Sequence, residues 1–485
     1  MTSSNRVRLS SVRESQVGVT PASPRMRIKN FSTSGLTFTP EYLDPDTIRD
    51  DRMSPAPTLV FSSSGGPVTA QFRYPTPNSP ESTDIVSALG AEWVETNSRD
   101  NDGTADSVIS DVAVTGVVTV TTGTSFVARQ LVRMSGFTNA ANNGLKICTT
   151  GSATVPAFSA GLVAEAAPPG TARIKVVGLQ GTAGDITATA TGLGSTALNF
   201  TLFGLQVGQW INIGGATAIT QFATASDRGF ARITAITATA LTLDNLPAGW
   251  SVDAGTGKTI SIWFGDTIKN GQSIIPQTLE ESFLGQSPPS HISYTGQVVD
   301  TYDLDLKSKT NAMVSVGYVG ISAVAGTTAL DTTYDPAILN EPMATNANVA
   351  RVSEGGAALG TPNCAKSLTL SIKNNLRQRD CLNSGTPVSI VNGACDVTGS
   401  YSGYFGDLTL MNKFLAGTLT SISAAILKNN QAVVFDVPAA TYNGGATPQV
   451  SGENTDVMQE LQFMASYDAM TGAQIQINRF EYLEN

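Results

Sequence analysis

The sequence has 485 residues and a formal net charge of −10, and only 14% of its residues are charged. It contains 46 glycines and 23 prolines among many threonines and serines, which is typical of a mainly β protein with many turns. The acidic balance argues against a surface that neutralises nucleic-acid phosphates, and the length allows about two to four domains.

The thiols and the N-terminus indicate where such a protein is made. No CxxC pair is present, so the cysteines predict free thiols in a reducing compartment. We find neither a signal-peptide apolar region nor an apolar run that could span a bilayer. A protein that is assembled inside a cell and released by lysis would satisfy both observations. The cysteines are Cys148, Cys364, Cys381 and Cys395.

Residues 1–30 are polar and carry several arginines, which predicts either a solvated tail or an arm that docks on a neighbouring subunit. Residues 39–58 form a long, charged, proline-containing connection between two strands. Long connections without a core of their own are usually functional or disordered. The candidate contact residues of this connection are Glu41, Asp44, Asp46, Arg49, Asp50, Asp51 and Arg52.

Residues 58–93 and 386–417 carry the same succession of predicted elements, namely a strand, a glycine-containing turn, a strand and a short helix. The period-two alternation of apolar residues predicts strands with one buried face. Several elements in the same order favour duplication, and chance coincidence of common β patterns is the alternative. The predicted turns contain Gly65-Gly66 and Asn392-Gly393.

The two predicted helices begin and end in similar ways. Ser79 is the predicted N-cap of the first helix, with Pro80 at its first position. Asp407 is the predicted cap of the second helix, and Gly417 closes it. Upstream, residues 35–38 and 367–370 each begin an alternating strand, which extends the repeat.

Residues 105–265 differ from the rest in being rich in threonine, alanine and glycine, and they contain a repeat of their own. We therefore predict two small β modules inserted into a surface loop of the first core. The predicted divisions are an N-terminal arm (1–30), a first core (31–104 and 266–319), inserted modules (105–185 and 186–265), a connection (320–366) and a second core (367–485).

The second core has its own loop, residues 373–386, which is shorter and more basic than residues 39–58. Lys373, Arg377 and Arg379 on this loop could form ion pairs with the acidic loop of another subunit. Ordinary solvated loops are the alternative, since exposed ion pairs contribute little.

No catalytic or metal site is predicted, and no cofactor is expected. His291 is the single histidine, and it is predicted to lie in a loop before a strand, which leaves no Ser-His or multi-His site. Residues 255–259 end like a phosphate-binding loop, but a strand is predicted to follow where that motif requires a helix. Asp303 and Asp305 have the spacing of one face of a strand, with calcium binding or acid–base chemistry as the alternative.

These features together resemble the tail tube proteins of long-tailed, siphophage-type bacteriophages. The run VRESQVGVTP at residues 12–21 resembles the opening of that family. The Asn374-Asn375-Leu376 stretch after a β run resembles the family too, as does the Asp-capped helix that follows a strand ending in Tyr. The resemblance covers residues 5–100 and about 270–485, but not the inserted modules.

The resemblance implies a mainly β fold with two tandem β-sandwich cores, each flanked by a helix. It implies rings that stack into a tube with an acidic lumen, through which DNA passes during ejection. With two cores in each chain, three chains would form a pseudo-six-fold ring. Long loops and the N-terminal arm would reach the next ring.

The implied partners are copies of the same chain, the tape measure protein, and the tail terminator and tip proteins. The implied location is the virion tail, assembled in the cytoplasm of a bacterial host. Other virion β proteins, such as a tail fibre, baseplate or capsid decoration subunit, share the composition and remain alternatives. A bacterial surface adhesin and a polysaccharide-degrading enzyme are more distant ones.

Overall fold

The computed structural model describes residues 3–103, 108–121, 123–360, 362–445, 447–450 and 452–484. Strands make up 45% of the structure and helices 7%, which confirms the predicted mainly β class. The predicted boundary between residues 104 and 105 lies outside the described residues.

A short 3-10 helix, Ser4–Arg6, lies near the start of the described residues, and the first strands of a large sheet follow it. The elements are Val7–Arg13 (β1), Arg27–Ile28 (β2), Thr33–Ser34 (β3), Thr37–Leu43 (β4), Thr58–Gln71 (β5) and the helix Pro80–Leu89 (α1). As predicted, the hydroxyl of Ser79 caps α1 by accepting from the Ser82 amide at 3.2 Å. Gly90 ends the helix at φ 58°.

An inserted region with sheets of its own follows. Its strands are Ser98–Asp100 (β6), Ile109–Val112 (β7), Val118–Val120 (β8), Gln130–Ser135 (β9), Gly144–Thr150 (β10), Ala157–Phe158 (β11), Glu165–Ala166 (β12), Arg173–Gln180 (β13), Thr187–Thr189 (β14), Gly192–Gly194 (β15), Trp210–Ile213 (β16), Gly229–Ile236 (β17), Ala240–Asp244 (β18) and Ser261–Trp263 (β19). Strands β7, β8 and β12 form a small three-stranded sheet, and the others form the main sheet of this region. Short 3-10 helices lie at Ala140–Asn142, Phe200–Leu202 and Ala225–Asp227.

The chain then returns to the large sheet. The elements of this last region are Asp266–Lys269 (β20), Gln277–Phe283 (β21), Ser290–Lys307 (β22), Met313–Gly320 (β23), Ser322–Gly326 (β24), the helix Thr345–Asn348 (α2), Val349–Glu354 (β25), Ala357–Ala358 (β26), Ala365–Lys373 (β27), Arg377–Arg379 (β28), Ser389–Val391 (β29), Asp396–Tyr404 (β30), the helix Thr409–Ala416 (α3), Thr420–Lys428 (β31), Gln431–Gly445 (β32), Met458–Ala465 (β33) and Gln476–Phe480 (β34). Strands β28 and β29 form a separate two-stranded sheet, and the other strands belong to the large one.

The large sheet contains the same pairing order twice. In the first half the order is β4, β5, β23, β22, β21, β1, and in the second half it is β27, β30, β33, β32, β31, β25. All these pairs are antiparallel. The long strands β22 and β32 each pair with one neighbour through their first part and with another through their last part. Each half has one helix, α1 or α3, directly after its β5 or β30 strand.

The two halves join into one sheet because the end of β22 also pairs with β27. Register runs from Thr301 opposite Lys373 to Lys307 opposite Ser367. Six strands therefore lie side by side in the order β5, β23, β22, β27, β30, β33. A single hydrophobic core includes residues of both halves, such as Val68, Leu304 and Leu370.

Two predicted segments outside the cores belong to the sheet. Within the predicted N-terminal arm, Val7–Arg13 pairs in full register with Gln277–Phe283, so these residues are a strand of the first half. Within the predicted connection, Val349–Glu354 pairs with β31 and completes the second half. Both segments alternate weakly in the sequence, and the partner strands that stabilise them lie far away along the chain.

The predicted turn at Gly65-Gly66 is wrong, because both glycines lie inside the continuous strand β5. Their φ angles are 152° and 136°, and residues that have a Cβ atom rarely adopt such values. A Cβ on Gly66 would lie 2.1 Å from the carbonyl oxygen of Gly35, and one on Gly65 would lie 2.4 Å from that of Tyr318. The glycines therefore allow close approach of neighbouring strands and do not reverse the chain.

The second helix begins slightly later than predicted. It starts at Thr409, and Leu408 occupies its N-cap position without a side-chain hydrogen bond. The carboxylate of Asp407 accepts a hydrogen bond from the Thr409 amide at 2.8 Å, so Asp407 still provides an acceptor for an amide of the first helical turn. Gly417 closes the helix at φ 60°, as predicted.

The insertion forms one main sheet where we expected two separate modules. The repeated strands correspond, since β9, β10 and β13 pair among themselves as β16, β17 and β19 do. However, β13 pairs with β19 from Gly178 opposite Trp263, and a common core extends from residue 109 to residue 264. Pairing β13 with β19 leaves neither strand as an exposed edge.

The insertion packs tightly on the large sheet. Trp210 and Trp263 are buried against Val434 and Phe480. Beside this contact the carboxylate of Asp266 binds Lys175 of the insertion at 2.7 Å and Arg479 at 2.8 Å. Burial would raise the pKa of Asp266, but the two cations outweigh it and hold the pKa below its ordinary value.

Candidate assembly surfaces

One face of the six-strand sheet is buried and the other is open and polar. On strands β5, β23, β22, β27, β30 and β33, alternate residues lie in the core, and the residues between them are partly exposed. The registers align these residues in rows that cross both halves. One row is Thr69, Ser315, Asp303, Ser371, Thr398 and Met464. The next is Gln71, Met313, Asp305, Thr369, Ser400 and Gln462.

Hydroxyl and carboxylate groups dominate this open face. The hydroxyls bond across strands: Ser371 donates to Asp303, and the hydroxyls of Thr369 and Ser400 are 2.7 Å apart. The face carries more acidic than basic side chains, so its charge is negative. The acidic ones are Asp303, Asp305, Asp396 and Glu460, and the basic ones are Lys307 and Lys373.

A set of side-chain hydrogen bonds holds the joint between β22 and β27. The amide of Asn374 donates to the carbonyl oxygens of Ala88 at 2.8 Å and of Val299 at 2.9 Å. The Leu376 amide donates to the carboxylate of Asp300 at 2.8 Å. The Asn374-Leu376 stretch, which carried part of the family resemblance, thus ties the second half to the first.

Two hairpins extend from the same end of the sheet. In the first, β4 and β5 pair up to Leu43 opposite Thr58, and residues 44–57 form its tip. In the second, β28 and β29 carry a tip of residues 380–388. The hairpins touch, since the Ser62 amide donates to the Gly385 carbonyl at 2.9 Å.

The candidate contact residues all lie on these hairpins or at their bases, and all of them are exposed. Glu41 is in β4, whereas Asp44, Asp46, Arg49, Asp50, Asp51 and Arg52 are in the first tip. Lys373 ends β27, and Arg377 and Arg379 are in β28.

The first tip contains an ion pair of its own. Arg49 binds Asp51, with Nε 2.8 Å from Oδ1, and this hydrogen bond lowers the pKa of Asp51. Among the described residues no ion pair joins the acidic tip to Lys373, Arg377 or Arg379. Pairing of these groups between subunits therefore stays a prediction.

Sequence reasoning missed the apolar character of the first hairpin. Ile48 is 99% exposed, and six further large apolar side chains are exposed on the same hairpin. These are Phe38, Tyr42, Leu43, Met53, Leu59 and Val60. Exposed apolar side chains concentrated on one projection are typical of a contact surface. The signal was available, because residues of this kind interrupt an otherwise charged connection.

The remaining candidate sites have structural roles. His291 is a buried strand residue of β22 and not a loop residue, and its Nδ1 lies 2.9 Å from the Ser282 hydroxyl. Residues 255–259 form a turn before β19, as expected, with Gly255 and Gly257 at positive φ. Lys258 there binds the Ala218 carbonyl at 2.7 Å. Within the described ranges, no group of three or more His, Cys, Asp or Glu residues could hold a metal ion.

A cavity of about 380 Å³ lies beside the start of α1 and is lined by several arginines. Their charges are already paired, since Arg13 binds Glu92 and Arg25 binds Asp335 at 2.8 Å. In the part of the chain that the structure describes, no helix is long and apolar enough to cross a membrane.

A comparison with protein families finds a match over part of the chain. Residues 235–465 match the model of the family described as phage tail tube protein. The matched span includes β22, its joint with β27, the open polar face of the second half and the strands up to β33. A search of curated proteins finds no match. The family match supports a structural, non-enzymatic role in the tail of a virion.

Proposed function

We propose that this chain is the tube subunit of a long-tailed, siphophage-type bacteriophage and that it carries two tail-tube cores. The observation that carries the proposal is the doubled pairing order of the large sheet, with one helix in each half. Because each chain supplies two equivalent cores, three chains form a pseudo-six-fold ring. Each core is then a β-sandwich whose sheet continues into the next core.

The open face of the six-strand sheet lines the lumen in this proposal. Four of its row hydroxyls already have hydrogen-bond partners in the sheet, so these are not free to hold a phosphate; they belong to Thr69, Thr369, Ser371 and Ser400. Its carboxylates repel the DNA backbone at close range, where screening by salt is weakest. DNA therefore passes during ejection without adhering to the wall.

Ring stacking uses the two hairpins, with Glu41, Asp44, Asp46, Arg49, Asp50, Asp51 and Arg52 on one and Lys373, Arg377 and Arg379 on the other. Support comes from their projection beyond the sheet and from the exposed apolar side chains of the first hairpin. Head-to-tail stacking brings these tips against the opposite end of the next ring. Strand β1 pairs with β21 of the same chain over residues 7–13. We therefore assign the ring-to-ring contact to the hairpins and not to these residues.

The inserted sheet forms the outside of the tube. It packs against β31, β32 and β34, and these contacts involve none of the polar rows assigned to the lumen. The proposed partners are further copies of the chain, the tape measure protein inside the tube, and the terminator and tip proteins at its ends. Assembly takes place in the cytoplasm of a bacterial host, and the tube ends in the virion tail.

Electron microscopy of the purified protein, with mass measurement of the smallest ring, tests the proposal. We expect hollow stacked rings with three-fold symmetry and a mass of three chains of 50.4 kDa. A ring of six chains would contradict the two-core assignment but keep the tube. A protein that stays monomeric at high concentration, or one that binds or cleaves glycans, would contradict the tube itself.

A further inference from the structure

Among the described residues, the large sheet contains a continuous path of strands in the order β4, β5, β23, β22, β27, β30, β33, β32, and this path leaves an unpaired edge at each of its two ends. In the described residues, β3 and β4 pair only with β5, so their outer edge is free. At the other end, residues 441–445 of β32 pair with β33 on one side only. The equivalent edges, on β27 of the second core and on the end of β22 of the first core, pair with each other within the chain.

Matching β-bulges align the two long strands residue by residue. In β22 the register with β23 shifts between Val299 and Thr301, and in β32 the register with β33 shifts between Tyr442 and Gly444. Each strand has a second shift at a corresponding point of its first part, against β21 or β31. Thr301 and Gly444 are therefore equivalent positions.

The alignment extends across the sheet to the hairpin strands. Tyr318 pairs with Val299 in one half, and Phe463 pairs with Tyr442 in the other, so Tyr318 and Phe463 correspond. Opposite them lie Gly66 and Gly399, two glycines at matching places.

The next strand beyond β5 is β4, and the next strand beyond β30 is β27. The registers therefore make two residues of β4 equivalent to two residues of β27. Thr37 lies opposite Gly65, and Ser371 lies opposite Thr398, at corresponding positions of β5 and β30. Two residues later along each strand, Thr39 corresponds to Lys373.

We propose that the end of β32 pairs with β4 of a second copy of the chain, in the register that joins β22 to β27 within each chain. Since Thr301 lies opposite Lys373, this places Gly444 of one chain opposite Thr39 of the next, and Gly445 opposite Phe38. The inference rests on the proposed ring and specifies the contact that closes it. Pairing removes both exposed edges of every chain.

Exposed apolar side chains at both edges support this contact independently. Counting back from the closing glycines of α1 and α3, Ala88 corresponds to Leu415, which is 69% exposed. Asn374, which binds the Ala88 carbonyl, corresponds to Pro40. Closing the ring therefore brings Leu415 against Pro40, beside Phe38 and Tyr42, which are 45% and 57% exposed in the single chain.

The two joints therefore differ in chemistry. Within the chain, the side chain of Asn374 and the main-chain amides of the loop form hydrogen bonds. Between chains, Pro40 has neither a side-chain donor nor an amide hydrogen, and the contact beside the strands is apolar. Two kinds of joint alternate around the ring, and the apolar one forms when chains meet.

Disulfide cross-linking tests the register. The Asn374 amide donates to the Asp300 carbonyl at 2.8 Å, so the neighbouring pair Thr301–Lys373 is not hydrogen-bonded, and such pairs have Cα atoms about 4.5 Å apart. Their proposed equivalents are replaced as Thr39→Cys and Gly444→Cys, with Cys364, Cys381 and Cys395 changed to Ser. The mismatched control combines Thr33→Cys with Gly444→Cys, which moves one thiol about 20 Å along the strand.

We expect oxidised assemblies of the matched variant to give covalent dimers and trimers at least tenfold more abundantly than the control. Rings that form without this preference would overturn the proposed joint and leave the tube function standing. A wild-type protein that forms no rings at all would overturn both.

Hydrogen exchange of the wild-type protein gives a second test that needs no cysteine at Gly444. By the alternation of the strand, the amides of Phe38 and Gly445 face the proposed neighbour. Their exchange should slow at least tenfold in tubes compared with the free chain. Unchanged exchange at both amides would overturn the joint even if the cysteine variants fail to assemble.

Discussion

The side-chain amide of Asn374 donates to the main-chain carbonyl of Ala88 at 2.8 Å, across the joint between the two halves of the sheet. Ala88 lies in the last turn of α1, where carbonyl oxygens lack partners within the helix. One residue of the second half thus satisfies the helix end of the first half. The same amide also reaches Val299 in β22, so it holds the helix, the long strand and the joint together.

Replacing this residue tests how much the joint contributes to stability. Asn374→Ala removes two hydrogen bonds and leaves two partly buried carbonyl oxygens without this donor. We expect the free energy of unfolding to fall by about 1–3 kcal/mol, measured by denaturant unfolding. Lys373→Ala, at the exposed neighbouring residue, is the matched control and should stay within about 0.5 kcal/mol. Equal effects of the two changes would contradict this role of Asn374.

The glycine pair of β5 should tolerate no side chain. In Gly66→Ala the new Cβ would meet the Gly35 carbonyl oxygen at 2.1 Å, at a φ of 136° that alanine rarely adopts. We expect a loss of at least about 2 kcal/mol in the free energy of unfolding. Gly360→Ala is the control, since a Cβ there meets nothing within 4 Å. Similar unfolding midpoints for both variants would show that strand β5 can shift away from the Gly35 carbonyl oxygen.

The buried ion pairs of Asp266 should make docking of the insertion sensitive to acid. Its folded-state pKa lies below the ordinary 3.8, so its ion pairs stabilise the fold fully above about pH 4 and are lost as the pH falls through the lower value. Asp266→Asn leaves Lys175 and Arg479 without their shared carboxylate. We expect a loss of about 3–5 kcal/mol at neutral pH.

The measurement for Asp266 is the free energy of unfolding between pH 2 and pH 7, for the wild type and the variant. The difference between the two proteins should shrink as the acid protonates the wild-type carboxyl group. A difference that stays constant over this range would contradict the electrostatic explanation.

The proposed lumen predicts a charge effect on DNA ejection. Ser315→Lys with Thr398→Lys adds cations to one row of the open face, and we expect ejection to slow several-fold because phosphates are retained. High salt should reduce the effect. Ser315→Gln with Thr398→Gln, which adds length without charge, is the control. Normal ejection rates in tubes that contain the lysines would contradict the assignment of this face.

The first hairpin should act in stacking and not in folding. Ile48 is 99% exposed, so Ile48→Glu should leave the free energy of unfolding unchanged within about 0.5 kcal/mol. Electron microscopy should then show separate rings in place of long tubes. Leu339→Glu, at an equally apolar side chain that is 92% exposed elsewhere, should leave tubes intact. Full-length tubes with Ile48→Glu would remove this hairpin tip from the stacking contact.

Local sequence patterns predicted the elements that depend on neighbouring residues. The caps at Ser79 and Gly417 and the turn at residues 255–259 all follow from chemistry within a few residues. The alternating strands follow from local patterning in the same way. The repeat of strand and helix was visible for the same reason, because each copy carries its own alternation and its own helix signals.

Long-range pairing escaped prediction. Gly65-Gly66 looked like a turn, since a glycine pair has the same signature whether the chain reverses or two strands approach closely. Only the positions of Gly35 and Tyr318 distinguish these cases. Likewise, nothing near Val7–Arg13 or Val349–Glu354 shows that distant strands pair with them.

By itself, the sequence determined the β class, the helix ends, the repeated unit and the resemblance to tail tube proteins, because period-two patterns and capping act over a few residues. Only the tertiary structure decided that the halves share one sheet and that the inserted repeats share another. It also decided which polar residues form rows and which edges stay unpaired. These features depend on register between strands far apart in the chain, and register is set by packing and close backbone contact, which no local pattern encodes.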